Sequence, residues 1–518
     1  MNRYTYVSGE GVSLFTVTLL PEDEERCPVL LIRDPYVDET ETMTEEEAVA
    51  RYAARYEAFV QAGYGVVFQQ CRGRGKSTGD CIPYIHERED GLRLQAWVRQ
   101  QPFYNGQLLL YGVSYLSSAH FATAPFAPDI VGAVFHVQDC ERYNIAYRNG
   151  CFKIGLHGNW YFGMYKRKTL KTPRNNAYSF DTLPLTEFSR GLLGEPAADL
   201  DEMLRHPERE DAFWSTRWGG ADARDALRTA QIPVLLTTGF YDIYTGGIFD
   251  MWRSLPPETR QRSALLVSAY DHPDQPDPQG IVFPDGSKRE HFGAHYEIPW
   301  LDYVLGRRDA PVATGCVTYY ELFRNRWRTD AFAPGTPLAV PLGEETRTYT
   351  YDPADPPSFR GGLSCNFGGS VFQTPPGERQ DILTVYTAPF AQDTAVRGRM
   401  TARLTVASDC EDTGFYVRVS IEKPEGDFGL RDDITTLCRQ HPAYMPGQAA
   451  QLTFTFDEHA FWIRQGERLR VDVASADRAH YVRHTNEKGL FSTRTACRIA
   501  HNTVFFGRSS LTLPLAET

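Results

Sequence analysis

The sequence predicts an α/β fold, a mostly parallel sheet covered by helices on both faces, interrupted by one insertion and followed by an antiparallel β-sandwich. Three observations carry this. Short apolar runs alternate with helix-period stretches up to about residue 140 and again after residue 230. Between Glu141 and Thr229 that rhythm stops, and helical fragments, aromatics and prolines take over without a convincing strand. From about Pro311 apolar residues recur every second position instead. A chain of 518 residues fits about three domains at roughly 100–200 residues each. The expected division is residues 1–140 and 230–310 as the α/β core, 141–229 as a helical cap insertion, and 311–518 as the sandwich.

Taken in order, Cys27–Ile32 is a short apolar run of the kind buried in a parallel sheet. Thr44 with Glu47 three residues on reads as a capping box. Val49, Tyr52, Ala53, Tyr56, Phe59 and Val60 then recur at helical spacing, and Gly63 stands where helices end. Gly65–Gln70 is the next strand, and Leu94, Trp97 and Val98 mark one face of the next helix. Leu108–Val113 and Ile130–Val137 are strands flanking a helix that starts at Tyr115. Beyond the insertion, Pro233–Thr238 and Ala264–Val267 are strands, and Trp300, Leu301, Tyr303 and Val304 close the core on a helix. In the last region Phe415, Val417, Val419 and Ile421 alternate with Tyr416, Arg418, Ser420 and Glu422. Leu452, Phe454 and Phe456, and then Leu469, Val471 and Val473, repeat that period.

Composition excludes several functions. Thirty Phe, 28 Tyr and 8 Trp supply too much apolar area for a disordered chain. The net charge of −12 argues against a nucleic-acid partner. No stretch reaches the ~18 uncharged apolar residues of a membrane span, and the first residues lack a basic region leading into an apolar one. Ten cysteines without framework spacing read as reduced thiols of a cytoplasmic protein, although Cys71 and Cys81 flank a loop that a disulfide could close. Neither zinc-ligand spacing nor HExxH occurs, so no metal and no cofactor are expected.

The chemistry centres on Gly112-Val113-Ser114-Tyr115, where a buried strand turns into a helix. A sharp turn there lifts a serine hydroxyl above the sheet. Two later strands end in Gly239-Phe240-Tyr241-Asp242 and Ser268-Ala269-Tyr270-Asp271-His272. Residues just past strand C-termini converge on one edge of a doubly wound sheet. Ser, then Asp, then His is the chain order of the α/β-hydrolases. Ser114 is thus the candidate nucleophile, His272 its base, and Asp242 the group that fixes the imidazole tautomer. The competing reading makes Asp242 a helix cap and His272 a solvated loop residue. Asp271, beside the histidine, is expected to face solvent.

With these residues in place the chain resembles the cocaine esterase / X-prolyl dipeptidyl-peptidase family, the CocE/NonD hydrolases. The resemblance rests on Gly112–Leu116 (GVSYL), the later GFYD and His, and the Arg33-Asp34-Pro35-Tyr36 segment. It extends to the loop Arg72–Gly79 and to Tyr351–Pro356 followed by Gly361-Gly362. It implies an α/β-hydrolase core, a helical cap and a C-terminal jelly roll. It also implies an oxyanion hole made by the Tyr36 hydroxyl and the Tyr115 backbone N–H, and an acyl pocket lined by Tyr244. The chain departs from the family pattern at Ser117, where glycine is common, and in its Ala-Tyr-Asp-His loop. It lacks the extra N-terminal helical domain of many X-prolyl dipeptidyl-peptidases. The expected function is a serine hydrolase that cleaves small ester or amide substrates through an acyl-enzyme. Two rivals stand beside it. One is an X-prolyl dipeptidyl-peptidase that holds the substrate amine with Asp139 and Glu141. The other is a non-catalytic jelly-roll binding protein with a degenerate core.

Other signals are weighed against bland readings. Trp160, Tyr161 and Phe162 form either a pocket wall or cap packing, and Tyr244 either a pocket wall or core. Gly73–Ser77 (GRGKS) mimics a phosphate loop, but Gln70 stands where the first glycine belongs and Pro83 soon interrupts. Gly362-Leu363-Ser364 and Gly507-Arg508-Ser509 lack a strand before and a helix after the serine. His120 reads as a packed histidine. Eight basic residues and no acidic one lie between Arg142 and Phe180: Arg142, Arg148, Lys153, Lys166, Arg167, Lys168, Lys171 and Arg174. That window could draw in anionic substrates. The alternatives are a solvated face or a subunit contact in a homo-oligomer.

Overall fold

The computed structural model describes residues 2–516 except 23, 166–181, 217–225, 285 and 364–368. The first part of the chain supplies strands β1 (Asn2–Gly9), β2 (Val12–Leu19), β3 (Cys27–Asp34), β4 (Gly65–Gln70), β5 (Tyr104–Val113) and β6 (Ile130–His136). A two-residue hairpin, β7 (Tyr147–Arg148) and β8 (Cys151–Phe152), lies in the inserted region. Strands β9 (Val234–Gly239), β10 (Ala264–Ser268), β11 (Val317–Glu321) and β12 (Arg326–Asp330) follow it. All but the hairpin join one ten-stranded sheet in the order β1-β2-β4-β3-β5-β6-β9-β10-β11-β12. From β4 to β11 neighbouring strands are parallel, and antiparallel pairs close both edges. Every residue of β3, β4, β9 and β10 is buried, as a sheet covered on both faces requires.

The capping box forms as read: Thr44 Oγ1 accepts the Glu47 N–H, and Glu47 Oε2 accepts the Thr44 N–H. The helix behind it, α1 (Glu45–Arg55), seats Tyr52 on Phe68 of β4 with ring centroids 4.0 Å apart. The expected single helix breaks at Tyr56, and α2 (Glu57–Gln61) carries Phe59 onward. Helices α3 (Glu87–Val98) and α4 (Tyr115–Phe121) follow β4 and β5. Two differences from expectation stand out. Strands β1 and β2 precede Cys27. The large sheet also runs to Asp330, so the expected boundary at 311 falls inside it: Val317, Thr318 and Tyr319 pair with β10.

Beyond Asp330 the strands form two antiparallel sheets. Strands β13 (Thr336–Pro341), β14 (Thr346–Tyr351), β15 (Leu383–Tyr386), β16 (Thr394–Gly398), β17 (Thr401–Ser408) and β18 (Gly414–Lys423) come first. Strands β19 (Gly426–Thr436), β20 (Ala450–Thr455), β21 (His459–Ile463), β22 (Leu469–Ala474) and β23 (Ala500–Leu515) complete them. One sheet is organised around β23, and the other runs β15-β22-β18-β19. The period-two reading holds for β18, but its polar positions are buried as well as its apolar ones. Arg418 explains why. Its guanidinium donates to Gln373 Oε1 at 2.6 Å, to the Gly361 carbonyl at 3.1 Å and to the Arg360 carbonyl, and pairs with Asp432 at 3.2 Å. A loop through Gly361-Gly362 thus covers what would be the wet face.

Among the described residues no helix is long and apolar enough to cross a membrane, and no cluster of His, Cys, Asp and Glu could hold a metal ion. Cys71 and Cys81 are both free and buried.

Candidate active site

Ser114 sits between the end of β5 and the start of α4 with φ 56° and ψ −127°. That backbone is uncommon for a side-chain-bearing residue and persists only where the surroundings impose it. Here they do: the Ser114 N–H donates to the His136 carbonyl on β6 at 2.9 Å, and the Ser117 N–H returns to the Ser114 carbonyl. A Cβ on Gly112 would lie 2.4 Å from the Ser117 nitrogen, so only glycine lets α4 fold back over β5. Ser117 is compatible with this packing, and its hydroxyl contacts the His136 carbonyl at 3.3 Å.

Two neighbouring strand ends bring the other candidates together. After β9 and β10 the chains remain bonded: Phe240 N–H donates to the Ser268 carbonyl at 3.0 Å and Tyr241 N–H to the Tyr270 carbonyl at 2.9 Å. A Cβ on Gly239 would meet the Tyr270 oxygen at 2.1 Å, so the glycine permits this approach. As a result His272 Nδ1 lies 3.1 Å from Oδ1 of a fully buried Asp242. The Thr238 hydroxyl and the Tyr244 N–H donate to the same carboxylate at 3.0 and 3.1 Å. Asp242 thus faces the histidine and braces the turn that leads to the helix Thr245–Ser254, but it is not that helix's cap: the capping position is Tyr244, without a side-chain cap hydrogen bond. The reading of Asp271 is corrected. It is buried under Gly369 rather than solvated, and burial, then the charge of Asp242, lifts its carboxyl to about 6.

Tyr36 follows β3. Its N–H donates to Asp34 Oδ1 at 2.7 Å, and its hydroxyl accepts from Trp160 Nε1 at 3.0 Å. The indole bond uses an oxygen lone pair and not the phenol proton. Tyr115 is buried, and its phenol points away from the nucleophile. It donates to Glu87 Oε1 at 2.8 Å and accepts from the Tyr84 N–H at 2.6 Å. Arg33, buried behind, binds Glu87 Oε2 at 2.6 Å. The Tyr115 side chain thus anchors the elbow, while its N–H is the first of α4 and has no partner within the helix.

A cavity of about 260 Å³ joins these groups. Ser114, His272 and Tyr36 line it, as do both expected pocket residues, Tyr244 and Trp160. Sequence reasoning missed Tyr84, Ile145, Leu156, His157 and Ile243, which complete the wall. His157 stacks on Trp160 at 5.6 Å, and Trp160 stacks on Tyr84 at 5.4 Å. Burial pulls His157 down to about 3, so it is neutral at physiological pH. No Asp, Glu, Lys or Arg is among the described residues lining this cavity.

Residues 10–273 match the X-Pro dipeptidyl-peptidase (S15) family, and residues 331–510 match the X-Pro dipeptidyl-peptidase C-terminal non-catalytic domain. The chain belongs to the S15 family. It is a serine hydrolase. It is 23% identical over 552 residues to the cocaine esterase of Rhodococcus sp. (strain MB1 Bresler), covering 93% of this chain and 92% of that one. An aminopeptidase from a marine sediment Thaumarchaeota archaeon superposes with a TM-score of 0.81 at 18% identity, covering 100% of this chain and 96% of the other. An α-amino acid ester hydrolase superposes at 0.78, also at 18% identity and with the same coverage. At these identities the structural likeness shows the fold.

Within this S15 hydrolase the remaining sequence signals fall elsewhere. Asp139 and Glu141 do not line the Ser114 cavity; they face a separate polar one. Glu141 pairs with Arg209, and burial, then the Glu141 charge, lifts Asp139 to about 7. Of the basic window, Arg142 stacks over Tyr84 at 4.2 Å and donates to the Ser118 hydroxyl. Arg148 pairs with Asp433 at 2.7 Å and Asp457 at 2.6 Å, and Lys153 Nζ donates to the Asn144 carbonyl at 2.6 Å. Lys166, Arg167, Lys168, Lys171 and Arg174 lie outside the described residues, as does Ser364. Tyr161 is fully buried, and His120 packs with its Nε2 3.1 Å from the Tyr111 carbonyl. The Gly73–Ser77 loop is bonded internally: Lys76 N–H donates to Gln70 Oε1 at 2.6 Å and its ammonium to the Met43 carbonyl. Ser509 lies within β23.

Proposed function

We propose that this serine hydrolase cleaves esters, and amides more slowly, of small neutral acyl groups with apolar or aromatic bodies. Ser114 is the nucleophile. His272 takes the hydroxyl proton as Ser114 Oγ attacks the carbonyl, and Asp242 holds the imidazole tautomer and stabilises the imidazolium. The oxyanion accepts hydrogen bonds from the Tyr36 phenol and the Tyr115 N–H. Collapse returns the proton to the leaving group. Water then repeats the sequence on the acyl-enzyme. On this reading residues 1–140 and 230–330 form an α/β-hydrolase core, 141–229 a cap over the site, and the remainder a jelly-roll β-sandwich.

One observation carries the substrate class. The cavity that Ser114, His272 and Tyr36 share is walled by tyrosine, tryptophan, isoleucine and leucine, without a charged side chain among its described residues. Desolvating an unpaired ammonium or carboxylate there costs several kcal/mol. This weighs against an X-prolyl dipeptidyl-peptidase, which must hold a free amine, and against selection of anionic acyl groups. The test is a set of 4-nitrophenyl esters matched in size: butyryl, a 4-aminobutyryl ammonium and a succinyl monoester. The butyryl ester should have the highest kcat/KM, by about a hundredfold for ~3 kcal/mol. A faster ammonium ester, or faster cleavage of Ala-Pro-anilide than of aryl esters, refutes the reading. Ser114→Ala should abolish turnover and labelling by a fluorophosphonate.

A further inference from the structure

A second cavity, of about 310 Å³, lies where the β7–β8 hairpin turn and residues Pro207 and Glu208 meet the C-terminal sheets. It shares no lining residue with the Ser114 cavity. Its volume is at the lower end of the ~300–1,000 Å³ of small-molecule sites. Ile434, Val482, Leu490 and Phe491 give it an apolar wall.

The charges around that wall are unbalanced. Arg439, Arg483, Lys488 and Arg494 line it, against Glu208 and Asp412. Glu208 is engaged by Arg439 at 3.0 Å, and Asp412 approaches His484 Nε2 at 3.3 Å. Lys488 Nζ instead donates to a neutral oxygen, the Pro442 carbonyl, at 3.0 Å. Arg494 is more telling. It is 8% exposed. It donates to the Gly489 carbonyl at 2.6 Å and to the Thr485 hydroxyl at 3.3 Å, its Nη1 lies 2.9 Å from His484 Nε2, and it pairs with Asp412 at 3.7 Å. Its Nε is buried with no partner. A buried guanidinium with one long ion pair and an unpartnered Nε, beside an apolar wall and a Lys488 ammonium held only by a carbonyl, is further stabilised by an incoming anion.

We propose that this cavity is a second ligand site, for a small molecule with an apolar or aromatic body and one carboxylate. The body lies on Ile434, Val482, Leu490 and Phe491, and the carboxylate faces Lys488 and Arg494. Such a ligand bridges the hairpin turn Asn149–Cys151 and the segment Val482–Arg494, so binding also stabilises the fold by linkage.

The probe is 2-naphthoate, titrated calorimetrically into the full chain, with 2-naphthalenemethanol as the uncharged match. One binding event is expected for the acid, with the alcohol weaker by about tenfold or more, since one charge-assisted hydrogen bond is lost. Leu490→Trp, which fills the cavity, should remove the event, and Trp160→Ala, in the Ser114 cavity, should leave it unchanged. Lys488→Met, at an exposed position, should weaken it about tenfold and carries the test should the larger side chain disturb folding. Absence of binding, equal affinity for acid and alcohol, or a Kd unmoved by both Leu490→Trp and Lys488→Met overturns the proposal.

Discussion

Tyr36 and Tyr115 have rings 6.3 Å apart, and removal of either phenol oxygen is the same chemical change. The proposed oxyanion hole gives the two changes opposite consequences. In Tyr36→Phe the lost hydroxyl is the one that lines the Ser114 cavity. Loss of one oxyanion donor costs about 2.7–4 kcal/mol of transition-state stabilisation, or ~10²–10³ in kcat. KM should change little, because a ground-state carbonyl gains less from the donor than the oxyanion does. Folding should change little, since Tyr36 is exposed and the Trp160 indole that donates to its hydroxyl is partly exposed too. In Tyr115→Phe the proposed donor, a backbone N–H, remains. What is lost is the bond to Glu87 and the acceptor of the buried Tyr84 N–H. An orphaned buried donor costs about 1–3 kcal/mol, here of folding stability. The assays are kcat and KM on 4-nitrophenyl butyrate, with urea unfolding in parallel. The reasoning fails if Tyr36→Phe keeps kcat within about threefold of wild type, or if Tyr115→Phe loses kcat as deeply while remaining folded.

Further outcomes follow from the same geometry. Asp242→Asn should lower kcat by about 10⁴ with little effect on KM, because the amide can present an N–H to His272 Nδ1 and favour the wrong tautomer; a loss under about tenfold would separate Asp242 from the chemistry. Asp271→Asn should stabilise the protein at neutral pH. Its carboxyl titrates at about 6 in the fold against 3.8 in the reference state, so the native state binds the extra proton between those values. Wild-type stability then falls as pH rises from about 4 to about 6, by ~3 kcal/mol from this group. The advantage of the asparagine should grow over that window and vanish below about pH 4, read as ΔTm across a pH series. Gly112→Ala should cost about 3 kcal/mol or more, since its Cβ would meet Ser117 backbone and not a flexible side chain; unchanged thermal unfolding would contradict the close packing of β5 and α4.

The legible part of the fold was the part where burial acts on both faces of an element. Gly65–Gln70 reads as a strand from sequence and is one from end to end, with the consecutive apolar Val66, Val67 and Phe68 that burial on both faces of a parallel sheet calls for. Strand β1 went unread for the opposite reason. Tyr4 and Tyr6 are exposed at the sheet edge, and the strand is held by its ladder to β2 more than by any apolar face. Ser114, Asp242 and His272 could be singled out as candidates because they follow strand ends in chain order, and the structure brings His272 to Asp242 and to the cavity that Ser114 lines. Of the pocket wall only Tyr244 and Trp160 were anticipated, because Ile145, Leu156 and His157 reach the cavity through the packing of an insertion with no regular period. Asp271 was misread because adjacency along a chain says nothing about Gly369, which arrives from the C-terminal region to cover it.

The basic window shows how one composition supports two physical roles that sequence does not separate. Eight cations without an anion suggest a long-range field that draws charged substrates toward the site. A cation steers best while it faces water unpaired, and Arg142 and Lys153 are buried while the half-buried Arg148 is paired with two carboxylates. Arg148 spends its charge on Asp433 and Asp457, two carboxylates of the C-terminal sheets that burial would otherwise penalise. Arg142 lies over the ring of Tyr84, a cavity-wall residue, and does not itself line the cavity. These charges hold the inserted hairpin and its aromatic wall against the rest of the protein at short range, where salt screens them little. Among the described residues the cavity lining carries no Asp, Glu, Lys or Arg, and these three cations are engaged within the protein. On the proposed substrate class, choice would then follow shape and apolar area, with the described arginines acting on the fold.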